Sequence, residues 1–263
     1  KFLPVYPASS KLPSWKISQC AQLAIGALDE IDDFLPESIR EKHNYPTLHQ
    51  ALVQLHQPAD LDHAETARER LTFDEAFLLQ SLLVMRRIEL KKLNSTSRKK
   101  VAGGLLDTFD TSLPFELTAG QLAVCKEIES DLAQPHPMHR LLQGEVGSGK
   151  TIVALRAMLA VVDSGGQAAL LAPTEVLAAQ HLRTIQRQLG TLAQGGMLGG
   201  SDKGTQITLI TGSQSAQARR EALAKAADGS AGIVIGTHAL LGESVVFKDL
   251  GLIVVDEQHK IKK

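Results

Sequence analysis

Apolar residues in the first third of the chain recur every three or four positions. The pattern runs from Ser14 to about Leu93, and Pro36, Pro46 and Pro58 interrupt it. This spacing is typical of amphipathic helices, and proline ends or kinks a helix because it has no backbone N–H to donate. We therefore predict several short helices followed by a longer one.

The longer helix is predicted within residues 71–93. Thr72 and Glu75 have the spacing of a capping box, in which the two side chains accept hydrogen bonds from backbone N–H groups at a helix start. The apolar residues that follow fall along one broad stripe, which favours a helix that faces a core. The stripe consists of Phe73, Phe77, Leu78, Val84, Met85 and Ile88.

Residues 94–114 mix Ser, Thr, Gly and charged positions without a clear period. We predict a linker there, with a boundary near Leu113. Two interpretations of its basic residues remain open, namely contact with a phosphate backbone and a solvated charged surface. The basic residues are Lys91, Lys92, Arg98, Lys99 and Lys100.

After Pro114 the pattern changes to short apolar runs that alternate with helical stretches. Runs of this length are too short for helices, and their uniform apolarity is typical of strands buried on both faces. The alternation predicts an α/β fold with a parallel sheet covered by helices. The predicted strands are 139–143, 168–173, 207–211, 232–236 and 252–256, and the predicted helices are 150–162, 175–189 and 215–227.

Composition narrows the class of protein only slightly. The 28 basic and 29 acidic side chains nearly cancel, so any surface that binds nucleic acid must be local. Cys20 and Cys125 lack the spacing of a zinc site and fit a reducing compartment, so we expect a cytoplasmic protein. No apolar run is long enough to span a bilayer, and we expect a monomer without a membrane partner.

The string GEVGSGKT, at residues 144–151, satisfies the pattern of a phosphate-binding loop. It stands between a predicted strand and a predicted helix, as such a loop requires. Glycines let consecutive N–H groups face a polyphosphate, Lys150 supplies a charge to the β- and γ-phosphates, and the Thr151 hydroxyl is suited to bind magnesium. The alternative is a glycine-rich turn without a ligand. The predicted nucleotide contacts are Gly144, Glu145, Val146, Gly147, Ser148, Gly149, Lys150 and Thr151.

Two acids, Asp256 and Glu257, end the last predicted strand. A magnesium nucleotide needs a second anchor of this kind, so Asp256 is predicted to bind the metal. Glu257 is predicted to orient the attacking water or to accept its proton. Acids that merely keep a strand end soluble are the alternative. With Lys150, this pair forms the predicted catalytic set, and ATP and Mg²⁺ are the predicted cofactors.

Five strings in order carry a resemblance to a known family: GEVGSGKT, APTEVLAAQH, LITGS, IGTHALL and VVDEQH. Together they resemble the first motor domain of superfamily 2 helicases, specifically the RecG type of branched-DNA translocase. The transcription-repair coupling translocase is the nearest alternative, but it typically has DEEQ where this chain has DEQH. A module that binds nucleotide or DNA without turnover is the other alternative.

The resemblance extends over almost the whole chain and implies its domain organisation. Residues 1–13 resemble the end of a wedge domain, 14–113 a helical region and linker, and 114–263 the first RecA-like motor domain, ending after DEQH. Adenine recognition is implied for Gln121, whose amide has one donor and one acceptor group, with Phe115 near the base. Gln258 and His259 are implied to join the nucleotide site.

The resemblance also implies contacts with the DNA backbone rather than with bases. The residues concerned follow predicted strands at one edge of the sheet, where ordinary helix caps and turns are the alternative. They are Pro173, Thr174, Glu175, Thr211, Gly212, Thr237 and His238.

Two departures from the family pattern stand out. Glu145 replaces an expected aspartate, and Lys260 replaces an expected arginine. The family continues with a second RecA-like domain that supplies arginines to the phosphates, and this sequence lacks it. We therefore expect a fragment that binds ATP with little turnover and that needs a second motor domain in cis.

Overall fold

The computed structural model describes residues 4–29, 31–145, 147–197 and 200–257. It divides into two compact units, residues 1–89 and 90–263. Across the part of the chain that is described, no helix is long and apolar enough to cross a bilayer.

The first unit is built from helices, as predicted. Thr47 and Gln50 form a capping box at the start of the third helix, and Asn44 adopts a left-handed backbone conformation (φ 55°) that ends the second. Proline precedes the first two helices, at Pro13 and Pro36. The helices are α1 (Ser14–Gly26), α2 (Glu37–His43), α3 (Leu48–His56) and α4 (Leu61–Lys91).

Helix α4 differs from the prediction in two respects. It begins at Leu61, so Thr72 and Glu75 lie within it and do not cap it. The apolar stripe is not core-facing along its second half, where Leu78, Val84, Met85 and Ile88 are 47–59% exposed. The buried positions of α4 are Ala67, Arg70 and Asp74, which recur at helical spacing on the same side as the stripe but earlier in the helix. The inner side of α4 is therefore buried over its first half, where it carries an ion cluster, and exposed over its second half.

Arg70 is the centre of this ion cluster, and its side chain is fully buried. Its Nε donates to Asp74 Oδ1 at 2.8 Å, and its Nη2 donates to Asp33 Oδ1 at 2.6 Å. Its Nη1 donates to Asp33 Oδ2 at 3.1 Å and to the carbonyl of Pro46 at 2.7 Å. One guanidinium thus joins α4 to the segments before α2 and α3.

Asp33 shows how the cluster affects stability. Burial acts to raise the pKa of its carboxyl, but hydrogen bonds from Arg70 and from the backbone N–H groups of Leu35 and Leu48 outweigh burial and lower that pKa. A carboxyl whose pKa is lower in the folded state stabilises the fold above its unfolded pKa. This contribution is lost as the pH falls through the folded value, so the cluster stabilises the first unit at neutral pH.

Replacing Arg70 with methionine should destabilise the first unit by about 3–5 kcal/mol, because two poorly solvated carboxylates lose their cation. Urea unfolding followed by circular dichroism measures the loss. The control is Arg68→Met on the exposed face of the same helix, which should change stability by less than about 0.5 kcal/mol. Equal effects of the two substitutions would contradict a structural role for the cluster.

The second unit begins with a part of the predicted linker that is not a linker in the structure. Residues 105–112 form a helix whose Leu105, Leu106 and Phe109 are buried in the main core. Of its basic residues, Arg98 does not fit the DNA-contact interpretation, since it is buried and its Nη2 lies 2.5 Å from Asp249 Oδ1. The helix has only eight residues, too few for a helical period to be recognised in the sequence.

The three helices predicted from the motor-like pattern are confirmed within one residue. The sheet strands are also confirmed, except that 139–143 forms no paired strand with the described residues. The helices are α5 (Leu105–Ser112), α6 (Ala119–Leu132), α7 (Lys150–Asp163), α8 (Glu175–Leu189) and α9 (Ala216–Asp228), with β1 (Gln167–Leu171), β2 (Gln206–Ile210), β3 (Ala231–Gly236) and β4 (Leu250–Val255).

The four strands form a parallel sheet in the order β2-β3-β1-β4. Alternate residues of β1 enter two different apolar clusters, with Ala168 and Leu170 in the larger and Ala169 and Leu171 in the smaller. The larger cluster includes α5 to α8, and the smaller includes α9. Helices therefore lie on both faces and bury β1 and β3 completely, as predicted, whereas β4 is partly exposed.

Candidate functional site

The predicted site residues collect at one edge of the sheet. Because all four strands are parallel, their carboxyl ends lie along the same edge. Residues 173–175 follow β1, 211–212 follow β2, 237–238 follow β3 and 256–257 follow β4. The loop at 144–150 leads into α7, which packs against β1.

The glycines of the loop adopt the conformations that the motif requires. Gly147 and Gly149 both have φ of 83°, in the left-handed region where glycine is favoured. A Cβ added at Gly149 would meet the end of the Gln121 side chain, which would then have to move. Gly149 is also the residue that caps α7. Val146 lies outside the described residues.

Lys150 and Thr151 form the first turn of α7. The Lys150 ammonium donates to the carbonyls of Gly144 and Glu145, at 2.8 Å each. These contacts hold the cation over the loop rather than extended into solvent. The positive end of α7 points to the same loop, so the local charge favours an anion.

Gln121 lies beside this loop, which its position in the sequence alone does not reveal. Its Nε2 donates to the carbonyl of Ser148 at 2.9 Å, and its Oε1 accepts from the N–H of Thr118 at 2.9 Å. The second bond belongs to a capping box at the start of α6. Both the oxygen and the nitrogen of its amide therefore have protein partners. This is also what we would expect if Gln121 were an ordinary polar residue at a helix start. Phe115 is 52% exposed.

Asp256 and Glu257 follow β4. The Asp256 N–H donates to the carbonyl of Leu171 at 2.9 Å, which ties the acid to the end of β1. Its side chain is 38% exposed. Glu257 has φ of 49°, which is uncommon for a residue with a side chain and is found preferentially at functional sites. Gln258 and His259 lie outside the described residues.

The predicted DNA-contact residues occupy turns and caps at this edge. Thr174 Oγ1 accepts from the N–H of Leu177 and caps α8, while Thr237 caps a short 3₁₀ turn over His238–Leu241. Thr211 and Thr237 are buried, whereas the structure exposes Thr174, Gly212 and His238. Pro173 and Glu175 are half-buried.

Glu175 connects two of these strand ends directly. Its carboxylate accepts hydrogen bonds from the hydroxyl and the backbone N–H of Ser213. Donation by the Ser213 hydroxyl is the largest of the effects that lower the pKa of Glu175, and the backbone N–H groups of Ser213 and Gly212 and the charge of His238 act in the same direction. The start of α8 is thus fixed to the loop after β2.

Two polar side chains at this edge were not predicted from the sequence. His181 Nε2 lies 2.7 Å from Asp256 Oδ2, and Arg219 Nη1 donates to the carbonyl of Thr211 at 3.2 Å. His181 has a sequence signal, because it lies three residues after the buried Ala178 and four before the buried Ile185. A polar residue at that spacing lies on the sheet side of α8 and needs a partner.

Comparisons with known proteins identify relatives of this chain. A relative in Mycobacterium bovis, called ATP-dependent DNA helicase RecG, is 51% identical over 260 residues, which cover 99% of this chain and 35% of the relative. The protein of the same name in Synechocystis is 40% identical, with coverage of 99% and 30%. The chain therefore spans about a third of the length of these relatives.

A solved structure described as RecG bound to a three-way DNA junction matches with a TM-score of 0.80 and 35% identity, covering 99% of this chain and 34% of that one. This likeness includes the parallel sheet and the helical first unit. Residues 118–263 match the DEAD/DEAH box helicase family. Since that match spans more than half of the chain, the chain belongs to the DEAD/DEAH box helicase family.

Proposed function

We propose that this chain is the ATP-binding motor part of an ATP-dependent DNA helicase or translocase that acts on branched DNA in recombination and repair. Stalled forks and Holliday junctions are the substrates we propose. The carrying observation is the sheet edge, where an acid pair follows β4 beside strand-end turns, with a glycine loop at the start of α7. The names of the relatives support the same activity.

The loop and the acid pair have separate roles in this proposal. Lys150 binds the β- and γ-phosphates, and backbone N–H groups of the loop bind the other phosphate oxygens. Asp256 and Thr151 hold Mg²⁺, which neutralises developing phosphate charge when bound. Their carboxylate and hydroxyl are the oxygen donors that Mg²⁺ prefers, and one or two protein ligands suffice when phosphates supply others. Glu257 orients the attacking water.

Adenine recognition by Gln121 stays part of the proposal. Its position against the Ser148 carbonyl supports nearness to the phosphate loop. Because both ends of its amide have protein partners, base binding requires the amide to exchange at least one of them. Phe115, which is half exposed, is proposed to pack near the base.

The whole protein is proposed to contain a second motor domain in cis. The chain spans 35% of its Mycobacterium bovis relative, which leaves room for such a domain elsewhere in the relative. Arginines from a second domain contribute about 10³- to 10⁵-fold to phosphoryl transfer in such motors. We therefore propose that this chain alone binds ATP with little turnover.

The domain limits are proposed as residues 1–13 for the end of a wedge domain, 14–113 for the helical region and 114–263 for the first motor domain. The family match from residue 118 supports the last limit. Helix α5 packs into the same core although it precedes that limit. Helix α5 therefore lies in the helical region by these limits, but we propose that it completes the core of the motor domain.

DNA is proposed to bind through its backbone at the turns after β1, β2 and β3. Affinity for a single-stranded oligonucleotide should then fall about a hundredfold between 50 and 200 mM salt, taking about five phosphate contacts. Fluorescence anisotropy with two oligonucleotides of unrelated sequence measures this dependence. Affinity that is independent of salt, or that differs strongly between the two sequences, would contradict backbone binding.

A further inference from the structure

His181, which contacts Asp256, has no role in the proposed nucleotide chemistry. His181 Nε2 and Asp256 Oδ2 are 2.7 Å apart, and the His181 side chain is 17% exposed. A carboxylate at neutral pH only accepts hydrogen bonds, so Nε2 carries the hydrogen and donates it. One oxygen of Asp256 is therefore fixed by an N–H donor from α8.

The backbone of His181 is held independently of Asp256. Ala178, Ile185 and Leu189 lie on the same face of α8 and are buried against the sheet. The start of α8 is fixed by Glu175, whose carboxylate accepts two hydrogen bonds from Ser213. The helix is thus anchored on both sides of His181 by contacts that do not involve the acid.

Asp256, by contrast, makes few hydrogen bonds to the described residues. Its backbone N–H donates to Leu171, but its side chain is more exposed than that of His181 (38% against 17%). Because His181 is anchored and the carboxylate is more exposed, their hydrogen bond restricts the rotation of the carboxylate more than that of the imidazole. Hydrogen-bond partners behind a metal-binding group typically change metal affinity about 10- to 100-fold.

We propose that His181 is a positioning residue that orients the Asp256 carboxylate for Mg²⁺. The inference rests on the proposed nucleotide site, in which Asp256 is the acid on the metal side. It predicts that His181 affects the Mg²⁺ requirement of nucleotide binding and leaves binding without metal unchanged. If His181 had only a packing role, its replacement would not change the Mg²⁺ requirement while leaving the affinity without metal unchanged.

The test measures binding of a fluorescent ADP analogue to this chain, first in EDTA and then across a series of Mg²⁺ concentrations. His181→Ala should bind within about twofold of the unchanged chain in EDTA but need about tenfold more Mg²⁺ for half of the full enhancement. His181→Leu, which fills space without a donor, should behave like alanine. His181→Gln places an amide N–H near the position of Nε2 and should restore the lower requirement.

Asp256→Asn provides the second half of a double-mutant cycle. On its own it should remove most of the Mg²⁺ enhancement, and adding His181→Ala should cause little further loss, because the two residues act as one unit. A wild-type Mg²⁺ requirement in both His181→Ala and His181→Leu would overturn the proposal. A defect in alanine that leucine repairs would overturn it too, since packing would then be the cause.

The experiment separates this inference from the proposed function. Absence of ADP binding, or of any Mg²⁺ enhancement, in the unchanged chain would overturn both. Normal enhancement that depends on Asp256 but not on His181 would overturn only the inference. Thermal unfolding of each variant identifies a folding defect, and the glutamine variant then supplies the deciding comparison: continued high Mg²⁺ demand in a folded His181→Gln contradicts the proposal.

Discussion

Lys150→Ala should lower the affinity of this chain for ATP by at least about a hundredfold, beyond the range of a calorimetric titration. The ammonium lies over the loop that we propose holds the phosphates, where it donates to the carbonyls of Gly144 and Glu145. Loss of a cation that is bonded to an anionic ligand costs about 2–5 kcal/mol. Folding should be unaffected, because the Lys150 contacts are exposed and confined to the loop.

Lys126→Ala is the matched control for this substitution. Lys126 is an exposed lysine of α6, in the same unit as the loop. The Lys126→Ala substitution removes the same charge from the chain, so it shows how much of the loss of ATP affinity comes from net charge alone. Unchanged ATP affinity in the Lys150 variant, or an equal loss in both variants, would exclude Lys150 as the phosphate-binding residue.

The sequence predicted those features of the fold that short-range patterns determine. Helices α7 and α8 begin at Lys150 and Glu175, as the periodicity and the motif predict. Strands β1 and β3 are buried along their whole length because helices cover both faces of the sheet there, as their apolar runs predict. The parallel arrangement then places residues from distant parts of the chain at one edge, including the acid pair after β4.

Features that depend on contacts distant in the sequence could not be predicted in this way. Residues 139–143 have the composition of a strand, yet pairing requires a neighbour that composition does not specify, and they form no paired strand with the described residues. Arg98 resembles the lysines around it but is buried against Asp249, 151 positions later. The contact of His181 with Asp256 spans 75 positions, so neither residue alone reveals it.

The predicted stripe on α4 was wrong for a related reason. Its apolar residues do fall on one side of a helix, as the periodicity indicates, but periodicity does not reveal whether another element packs there. Arg70 and Asp74 are buried on the same side of the helix, ahead of the exposed part of the stripe. An ion cluster gives no hydrophobic signal, so amphipathic patterns cannot locate it.

Glu257→Gln should lower ATP turnover about a thousandfold in the longer protein that we propose, while ATP affinity stays within a few-fold of the unchanged protein. A positioned acid–base group contributes about 10²- to 10⁴-fold to catalysis. Glutamine keeps the size of the side chain and loses the carboxylate, so it cannot accept a proton from water. Phosphate release stimulated by branched DNA measures turnover, and a fluorescent nucleotide measures affinity.

The geometry of Glu257 makes this substitution informative. Its φ of 49° is costly for glutamate and glutamine alike, so the exchange alters the charge without relieving the backbone conformation. Glu243→Gln, at an exposed position after β3, is the matched control and should leave turnover unchanged. Turnover within about threefold of the unchanged protein in Glu257→Gln would exclude Glu257 as the group that activates water. Lost affinity with lost turnover would instead assign Glu257 to binding, because a residue that acts only on the attacking water does not stabilise the bound nucleotide.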